Sequence, residues 1–422
     1  MASQVSFVQA AGYGINEQSA SYLGTGFAGR ASNAIDASIS ATNPAGISFL
    51  EGGRQISVGA DVILEGGSFD GEYTRPRQIG SGNITTDAGT DDFQKTSFVP
   101  FGYFVVPIDE KWSFGLAGYA PYGIELDYEN GWGGEYFADK TSVKVMNLQG
   151  TLSYKFNDDL AIGFGLIGSH VAGELTQKSW VASDDLGIPS GVIAGDGTIK
   201  GDDNTLGWNL GAIWNVNDST TLGLAYHSKL DFTLEGDFDV EDIPVVGSKS
   251  DDASLKITMP EKIMFSATHK VDEQWTVMAD ATWTRWSRFQ EFHVTSPNPD
   301  LDSYVPMNWK NTWALSLGTS YQLDEKWLLR AGYMFDESPV SNDTRTVRSP
   351  DANRNWFTLG ANLKLAENMN MDFAYAYVKL NSASIDEAKY KGPGELDSDY
   401  GSISGDYDSS SHIFGVQLNY LF

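Results

Sequence analysis

Cysteine is absent from the chain. That excludes a thiolate nucleophile, a disulfide framework and any thiolate-held metal, and it fits export through an oxidising compartment, although a cytosolic chain can also do without the residue. The five histidines, His170, His227, His269, His293 and His412, are scattered without ligand spacing, and neither His-Glu-x-x-His nor Gly-x-Ser-x-Gly occurs. No cofactor or metal is expected. Basic residues are scarce: 28 Lys and Arg against 56 Asp and Glu leave a formal charge of −28, which argues against nucleic acid as a partner. Long apolar runs are missing too. No stretch approaches the roughly 18–20 apolar residues of a membrane-spanning helix, and Phe373 to Val378 is typical of the short runs present. Residues 1–11 carry no basic n-region and no long apolar core, so a complete signal peptide is not expected there. Gln4 to Gln9 has the character of a leader's tail, with a mature start near Ala10 or Ala11.

What is abundant points to β-structure. With 45 glycines, 12 Trp, 19 Tyr and 22 Phe but only 20% charged residues, the 422-residue chain suits strands and turns better than helices. A membrane can still be crossed without an apolar helix, by a closed barrel in which every backbone group is paired. Barrel strands alternate in polarity, so a mean hydropathy of −0.27 does not count against a membrane.

One short pattern recurs. It reads Pro107-Ile108-Asp109-Glu110-Lys111-Trp112, Lys155-Phe156-Asn157-Asp158-Asp159-Leu160, Asn215-Val216-Asn217-Asp218-Ser219-Thr220, Lys270-Val271-Asp272-Glu273-Gln274-Trp275, Gln322-Leu323-Asp324-Glu325-Lys326-Trp327 and Lys364-Leu365-Ala366-Glu367-Asn368-Met369. Each is a polar turn between two strands, hence a tight hairpin. Between them lie long polar segments such as Ser183 to Asp203 and Asn381 to Asp408, and acid-rich stretches from Asp231 to Asp252 and Asp397 to Asp408 that read as solvated loops. Short turns at one end and long loops at the other are the asymmetry of an outer-membrane barrel.

Counting strands on both sides of each turn, with one near Arg54 to Leu64 and one at the C-terminus, gives about fourteen, an even number as bacterial single-chain barrels require. In the last strand Phe414, Val416, Leu418, Tyr420 and Phe422 alternate with Gly415, Gln417 and Asn419. From Trp309 to Tyr321 the same rule sets Trp309, Trp313, Leu315, Leu317 and Tyr321 opposite Lys310, Thr312, Ser316, Gly318 and Ser320. Apolar side chains outside and small polar ones inside invert a soluble core. A soluble β-sandwich is the rival reading, but it needs a second sheet over those aromatics. The first fifty or so residues do not alternate. They contain Gly12-Tyr13-Gly14-Ile15-Asn16-Glu17-Gln18-Ser19, Gly24-Thr25-Gly26-Phe27-Ala28-Gly29-Arg30 and Asn43-Pro44-Ala45.

That segment resembles the N-terminal hatch of the FadL family of outer-membrane transporters. The resemblance continues through Met259-Pro260-Glu261, Trp283, Trp286-Ser287-Arg288-Phe289-Gln290, Trp309-Lys310-Asn311, Phe335-Asp336-Glu337-Ser338-Pro339-Val340 and Arg348-Ser349-Pro350-Asp351. Phe422 resembles the terminal aromatic by which the barrel assembly machinery takes up its clients. The resemblance implies a fourteen-stranded antiparallel transmembrane β-barrel in the Gram-negative outer membrane, amid its lipid and lipopolysaccharide, with residues 1–52 as leader remnant and hatch and 53–422 as the barrel. It implies passive, non-enzymatic transport: capture of a hydrophobic molecule at outer loops, binding in a lumen pocket, and sideways exit through the wall.

Carried over residue by residue, the resemblance places a cation for the ligand's head group at Lys310, which strand parity puts in the lumen, where Asp336 or Asp351 are alternative partners. A second head-group position falls at Gln177, which is no cation, while Lys178 faces the other way. That departure leaves neutral or aromatic hydrocarbons open beside fatty acids. The loop Trp132-Gly133-Gly134-Glu135-Tyr136-Phe137 resembles the capture site, with Glu135 where a basic residue is common. Trp132, Tyr136 and Phe137 can hold an alkyl chain, each buried CH₂ contributing about 0.8 kcal/mol, or form a packing cluster. Asn43, Pro44 and Ala45 mark the hatch, and Pro121, Tyr122 and Gly123 mark the wall opening, because proline deletes a ladder donor. The rival there is the outer end of a strand, since about 9–11 residues from Trp112 already cross the membrane. A general diffusion porin and an outer-membrane protease or phospholipase, its site assembled from separate strands, are the other functions weighed.

Overall fold

A computed structural model describes residues 11–77, 81–91, 93–129, 131–183, 188–245, 247–298 and 302–422, without the side chains of 180–183 and 188–193. Fourteen strands form the wall. They are β1 (Gln55–Pro76), β2 (Ser97–Pro107), β3 (Trp112–Asp127), β4 (Lys140–Lys155), β5 (Leu160–Ser183), β6 (Ile188–Asn217) and β7 (Thr220–His227). They continue as β8 (Lys262–Lys270), β9 (Trp275–Thr284), β10 (Thr312–Gln322), β11 (Trp327–Asp336), β12 (Arg354–Ala366), β13 (Met369–Leu380) and β14 (Ser402–Leu421). Every strand pairs antiparallel with its neighbours, and β14 closes on β1 from Gln55↔Leu421 to Thr74↔Ser402. Closure removes the unpaired edges that lipid cannot satisfy.

The recurring turn has one physical cause. Asp109 Oδ1 accepts hydrogen bonds from the backbone N–H groups of Lys111 and Trp112, both 2.8 Å. Asn157, Asp272 and Asp324 do the same for the residues two and three positions on, and Asn217 for Ser219. A side chain that satisfies its own turn's donors explains why Asp or Asn recurs there. The sixth turn has no such bond; like the third, it carries a register shift, here between Lys364 and Ala366. Trp112 and Trp275, just past their turns, pack on Tyr154 and Tyr321, each pair 4.7 Å between ring centroids, as an interfacial girdle.

Alternation decides the two faces. Leu148, Leu206, Leu317 and Leu359 point outward with 61–73% of their surface free, while Gln417, Asn419, Thr312 and Ser316 are buried inside. The hatch fills that interior with two single-turn helices, α1 (Ala20–Leu23) and α2 (Ile39–Thr42), and a 3-10 turn over Pro44–Phe49. Its backbone lies so close to the wall that glycine is required at the contacts. A Cβ on Gly211 would stand 1.9 Å from Asn43 Oδ1, one on Gly163 2.3 Å from the Pro44 carbonyl carbon, and one on Gly332 2.1 Å from that of Thr25.

Several expected loops are strands. β5 and β6 extend as one ladder past Gln177↔Gly197, and Leu230–Ile243 pairs with both β6 and Gly247–Met259. In this outer hairpin Phe232, Leu234, Phe238 and Val240 are buried, with the acids on the other side. The acid-rich stretch is thus a half-buried sheet, not a solvated loop. Likewise 402–408 belongs to β14, and β1 runs twelve residues beyond Leu64.

Candidate functional site

The wall is broken on one side. β2 and β3 pair from Pro107↔Ser113 to Gly102↔Gly118 and no further. Beyond that point β2 stays on β1 up to Ser97↔Ile63, and β3 stays on β4 with an extra residue between Tyr119 and Tyr122. Pro121 has no N–H for the ladder, so the bulge falls where pairing is cheapest to lose. The hatch takes the freed edge: Ile15 N–H donates to the Pro121 carbonyl (3.0 Å) and Gly123 N–H to the Tyr13 carbonyl (2.8 Å). Residues 119–124 are all buried, so the outward alternation of β3 stops here. Higher up, Asp127 N–H reaches the Phe93 carbonyl at 2.9 Å and closes the break from above. Pro121, Tyr122 and Gly123 thus sit at the break. Asn43-Pro44-Ala45 sits against β5 and β6, where the Asn43 side chain accepts from Ala45 N–H and donates to the carbonyls of Ala31 (2.7 Å) and Ala212 (3.1 Å).

Above the hatch, Trp132 stacks on Tyr128 at 4.0 Å between centroids, and Phe137 meets Tyr73 edge-on at 5.8 Å. Tyr136 stacks on Tyr73 at 5.8 Å. The Trp132 indole N–H is held by the Ala138 carbonyl at 2.7 Å. The trio is folded into the aromatic cluster, with Trp132 and Phe137 buried.

Gln177 lies below that cluster and holds two cations. Its Oε1 accepts from the Arg348 guanidinium at 2.8 Å and from the Lys389 ammonium at 2.9 Å. Arg348 also donates to Thr141 Oγ1 and to the carbonyls of Lys140 and Thr176. Lys389 Nζ lies 5.5 Å from the Phe137 ring centre. Burial pushes Arg348 down to about 10. Burial, then the charge of Arg348, holds Lys389 below the usual lysine range, and burial raises Glu387, whose carboxylate accepts from Val347 N–H. Two cations on one neutral oxygen, with Glu387 close by, make a node that favours an anion.

A small apolar pocket of about 20 Å³ lies next to the node. Val143, Leu175, Ile199, Leu234, Leu255 and Phe292 line it. Val143 follows Thr141 by two residues on β4, and Leu175 precedes Gln177 by two on β5, so pocket and node occupy consecutive positions on the same strand faces, about 7 Å apart. A second cavity of about 60 Å³ lies lower, between the hatch and β8 to β10.

Lys310 lies elsewhere. Asn308 is left-handed (φ 46°) and β10 begins only at Thr312, so the strand's alternation does not reach back to Trp309 and Lys310. Trp309 is buried against Tyr13, Trp286 and Phe289. Lys310 is exposed and its ammonium pairs with Glu337 at 3.0 Å, which corrects the expectation of a lumen lysine. Asp336 and Asp351, its alternative partners, instead accept from the hatch N–H groups of Ala11 and Gly12. Lys178 does face away from Gln177, onto Asp196.

The whole chain, residues 1–422, matches the family model described as outer membrane protein transport protein (OMPP1/FadL/TodX). The chain belongs to the FadL family. Outer membrane protein P1 of Haemophilus influenzae is 28% identical over 98% of this chain and 95% of its own length. The long-chain fatty acid transport protein of Escherichia coli K12 is 25% identical over 98% and 94%. Among solved structures, a Pseudomonas aeruginosa FadL homologue superposes with a TM-score of 0.85 at 24% identity, covering 98% of this chain and all of that one. The Pseudomonas putida toluene transporter TodX gives 0.68 at 17%, covering 98% and 100%. At such identities the structures speak for the fold alone. The chain is thus an outer-membrane transport barrel. In this FadL-family barrel, Arg348 and Lys389 escape sequence reasoning because they come from different loops and meet only at Gln177; the one signal is the pair Lys389 and Lys391 in an otherwise acidic and polar segment.

Proposed function

We propose that the protein is a passive, non-catalytic channel for long-chain fatty acids, which enter at the outer pocket, rest with the carboxylate at Arg348 and Lys389, and leave sideways between β2 and β3. The observation that carries this is an apolar pocket set beside a buried pair of cations on the same strand faces. A fatty acid is apolar along its length and anionic at one end, and no neutral hydrocarbon has use for the cations. Sideways exit draws support from two features. The ladder ends at Gly102 and Gly118 beside the hatch, and the periplasmic half of the lumen is a polar space of about 630 Å³ lined by Asp36, Glu51, Asp158 and Asp218 among others. Passage through that water would cost about 0.8 kcal/mol per methylene.

The test compares hexadecanoate with hexadecanol. Replacing Arg348 and Lys389 together by Met should weaken binding of the acid by about 1.5–3 kcal/mol, tenfold or more, and leave the alcohol unchanged. Equal affinity for acid and alcohol in the unaltered protein would favour a channel for neutral hydrocarbons.

A further inference from the structure

The 60 Å³ cavity between hatch and wall has room for about two waters, far too little for an alkyl chain but enough for a head group. One side is aromatic, with Tyr22, Phe27 and Trp286; the other carries Asn16, Thr282 and Thr312. Two cations line it, and they differ. Arg30 is satisfied: it donates to Asn16 Oδ1 at 2.9 Å and Thr282 Oγ1 at 2.7 Å and pairs with Asp280 at 3.4 Å. Lys262 has no such partners. Among the described residues no carboxylate lies within ion-pair distance of its ammonium and no hydrogen bond holds it; its contact is the face of Tyr122, with Nζ 4.5 Å from the ring centre. A cation–π contact holds an ammonium less firmly than a carboxylate partner at short range. Asp336 lines the same cavity but is engaged by Ala11 N–H, at 3.1 Å.

The place of this ammonium matters as much as its lack of a partner. Tyr122 is the residue at which the hatch pairs with β3, through Gly14↔Tyr122, and its hydroxyl donates to the Pro260 carbonyl at 2.8 Å. Lys262 itself is on β8, and its ammonium meets the break through the Tyr122 ring, which reaches from β3 to Pro260 just before the start of β8. We propose that Lys262 forms a second carboxylate station, which receives the head group of an anionic amphiphile after it leaves the Arg348 and Lys389 node and holds it beside the opening. A carboxylate drawn to Lys262 takes the ammonium off the Tyr122 ring and orients the chain away from the polar lumen toward the break. The inference rests on the fatty acid reading and adds to it the residue that governs passage rather than capture.

The experiment measures binding and uptake of hexadecanoate and hexadecanol by the full chain in proteoliposomes, for the unaltered protein, Lys262→Met and Lys262→Arg. Lys262→Met should lower acid uptake about tenfold, the size of one charge-assisted hydrogen bond, while acid binding at the outer node and alcohol uptake stay unchanged; Lys262→Arg should restore most of the loss. Acid uptake unaltered in Lys262→Met, or equal losses for acid and alcohol, would overturn the station. If the unaltered protein itself does not distinguish acid from alcohol, the fatty acid reading fails instead. A structure of the unaltered protein with hexadecanoate needs no variant: the carboxylate is expected at hydrogen-bond distance from Lys262 or the Gln177 node, and its absence from Lys262 when a chain occupies the break would contradict the proposal.

Discussion

At the scale of single residues, the chemistry rests on buried cations held by neutral oxygens and rings rather than by a directly bonded carboxylate. Lys389 is the sensitive one. Burial and the neighbouring Arg348 lower its proton affinity, with Glu387 and Asp397 opposing. A bound anion favours the charged ammonium, so acid affinity should fall as pH rises through this lowered range, well below the ordinary lysine value of about 10.4, while alcohol affinity stays flat. The same shift has a stability sign. A lysine lowered in the fold contributes fully above its unfolded value and costs stability as pH falls through the folded one, whereas Glu387, raised in the fold, contributes below its ordinary value and loses it as pH rises. Titrating binding of both ligands from about pH 6 to about pH 9 checks this; parallel curves for acid and alcohol would remove Lys389 from the site. Lys310 gives the contrasting case. Its exposed pair with Glu337 contributes at most about 1 kcal/mol, so Lys310→Ala should leave acid binding unchanged. A tenfold loss in a binding isotherm would return the head group to that lysine.

Elements carry the gate. β3 is continuous along β4 but abandons β2 at Gly118, and the hatch segment from Tyr13 to Ile15 occupies the vacated edge. A bulky side chain at the break, Gly123→Trp, should abolish uptake while binding and barrel assembly persist, as read by ligand titration and heat-modifiable gel mobility. Normal uptake by a well-assembled variant would place the exit elsewhere. Much of this scale is legible in the sequence. Pro121-Tyr122-Gly123 announces lost pairing because proline lacks a donor, and the Asp or Asn at most of the short turns announces a hairpin. Lys310 is misplaced when the strand's period is extended back past Thr312, because residues 307–311 are outside the strand and do not keep its alternation. The Leu230–Ile243 strand reads as loop because its acids outweigh Leu230, Phe232 and Leu234, although these alternate in the sequence.

The whole molecule is a closed wall around a plug seated on glycines. Gly211→Val would drive a side chain into Asn43, an overpacking cost of about 1–3 kcal/mol. It should loosen the hatch, seen as channel openings in planar bilayers where the unaltered protein is expected to show none; a silent variant would mean the Asn43 anchor is dispensable. Wall and face depend on local periodicity, so sequence suffices for them, whereas the plug is marked by the loss of that period and by its resemblance to the family's hatch. The Gln177 node joins three distant segments, and no period or spacing encodes such a meeting.

The most direct measurement of the central claim is uptake of hexadecanoate and hexadecanol into proteoliposomes by the unaltered barrel and by the Arg348→Met, Lys389→Met double variant. A channel that captures anionic amphiphiles should favour the acid when unaltered and lose that preference in the variant, with alcohol uptake the same in both. Acid preference intact in a well-assembled double variant would contradict the account.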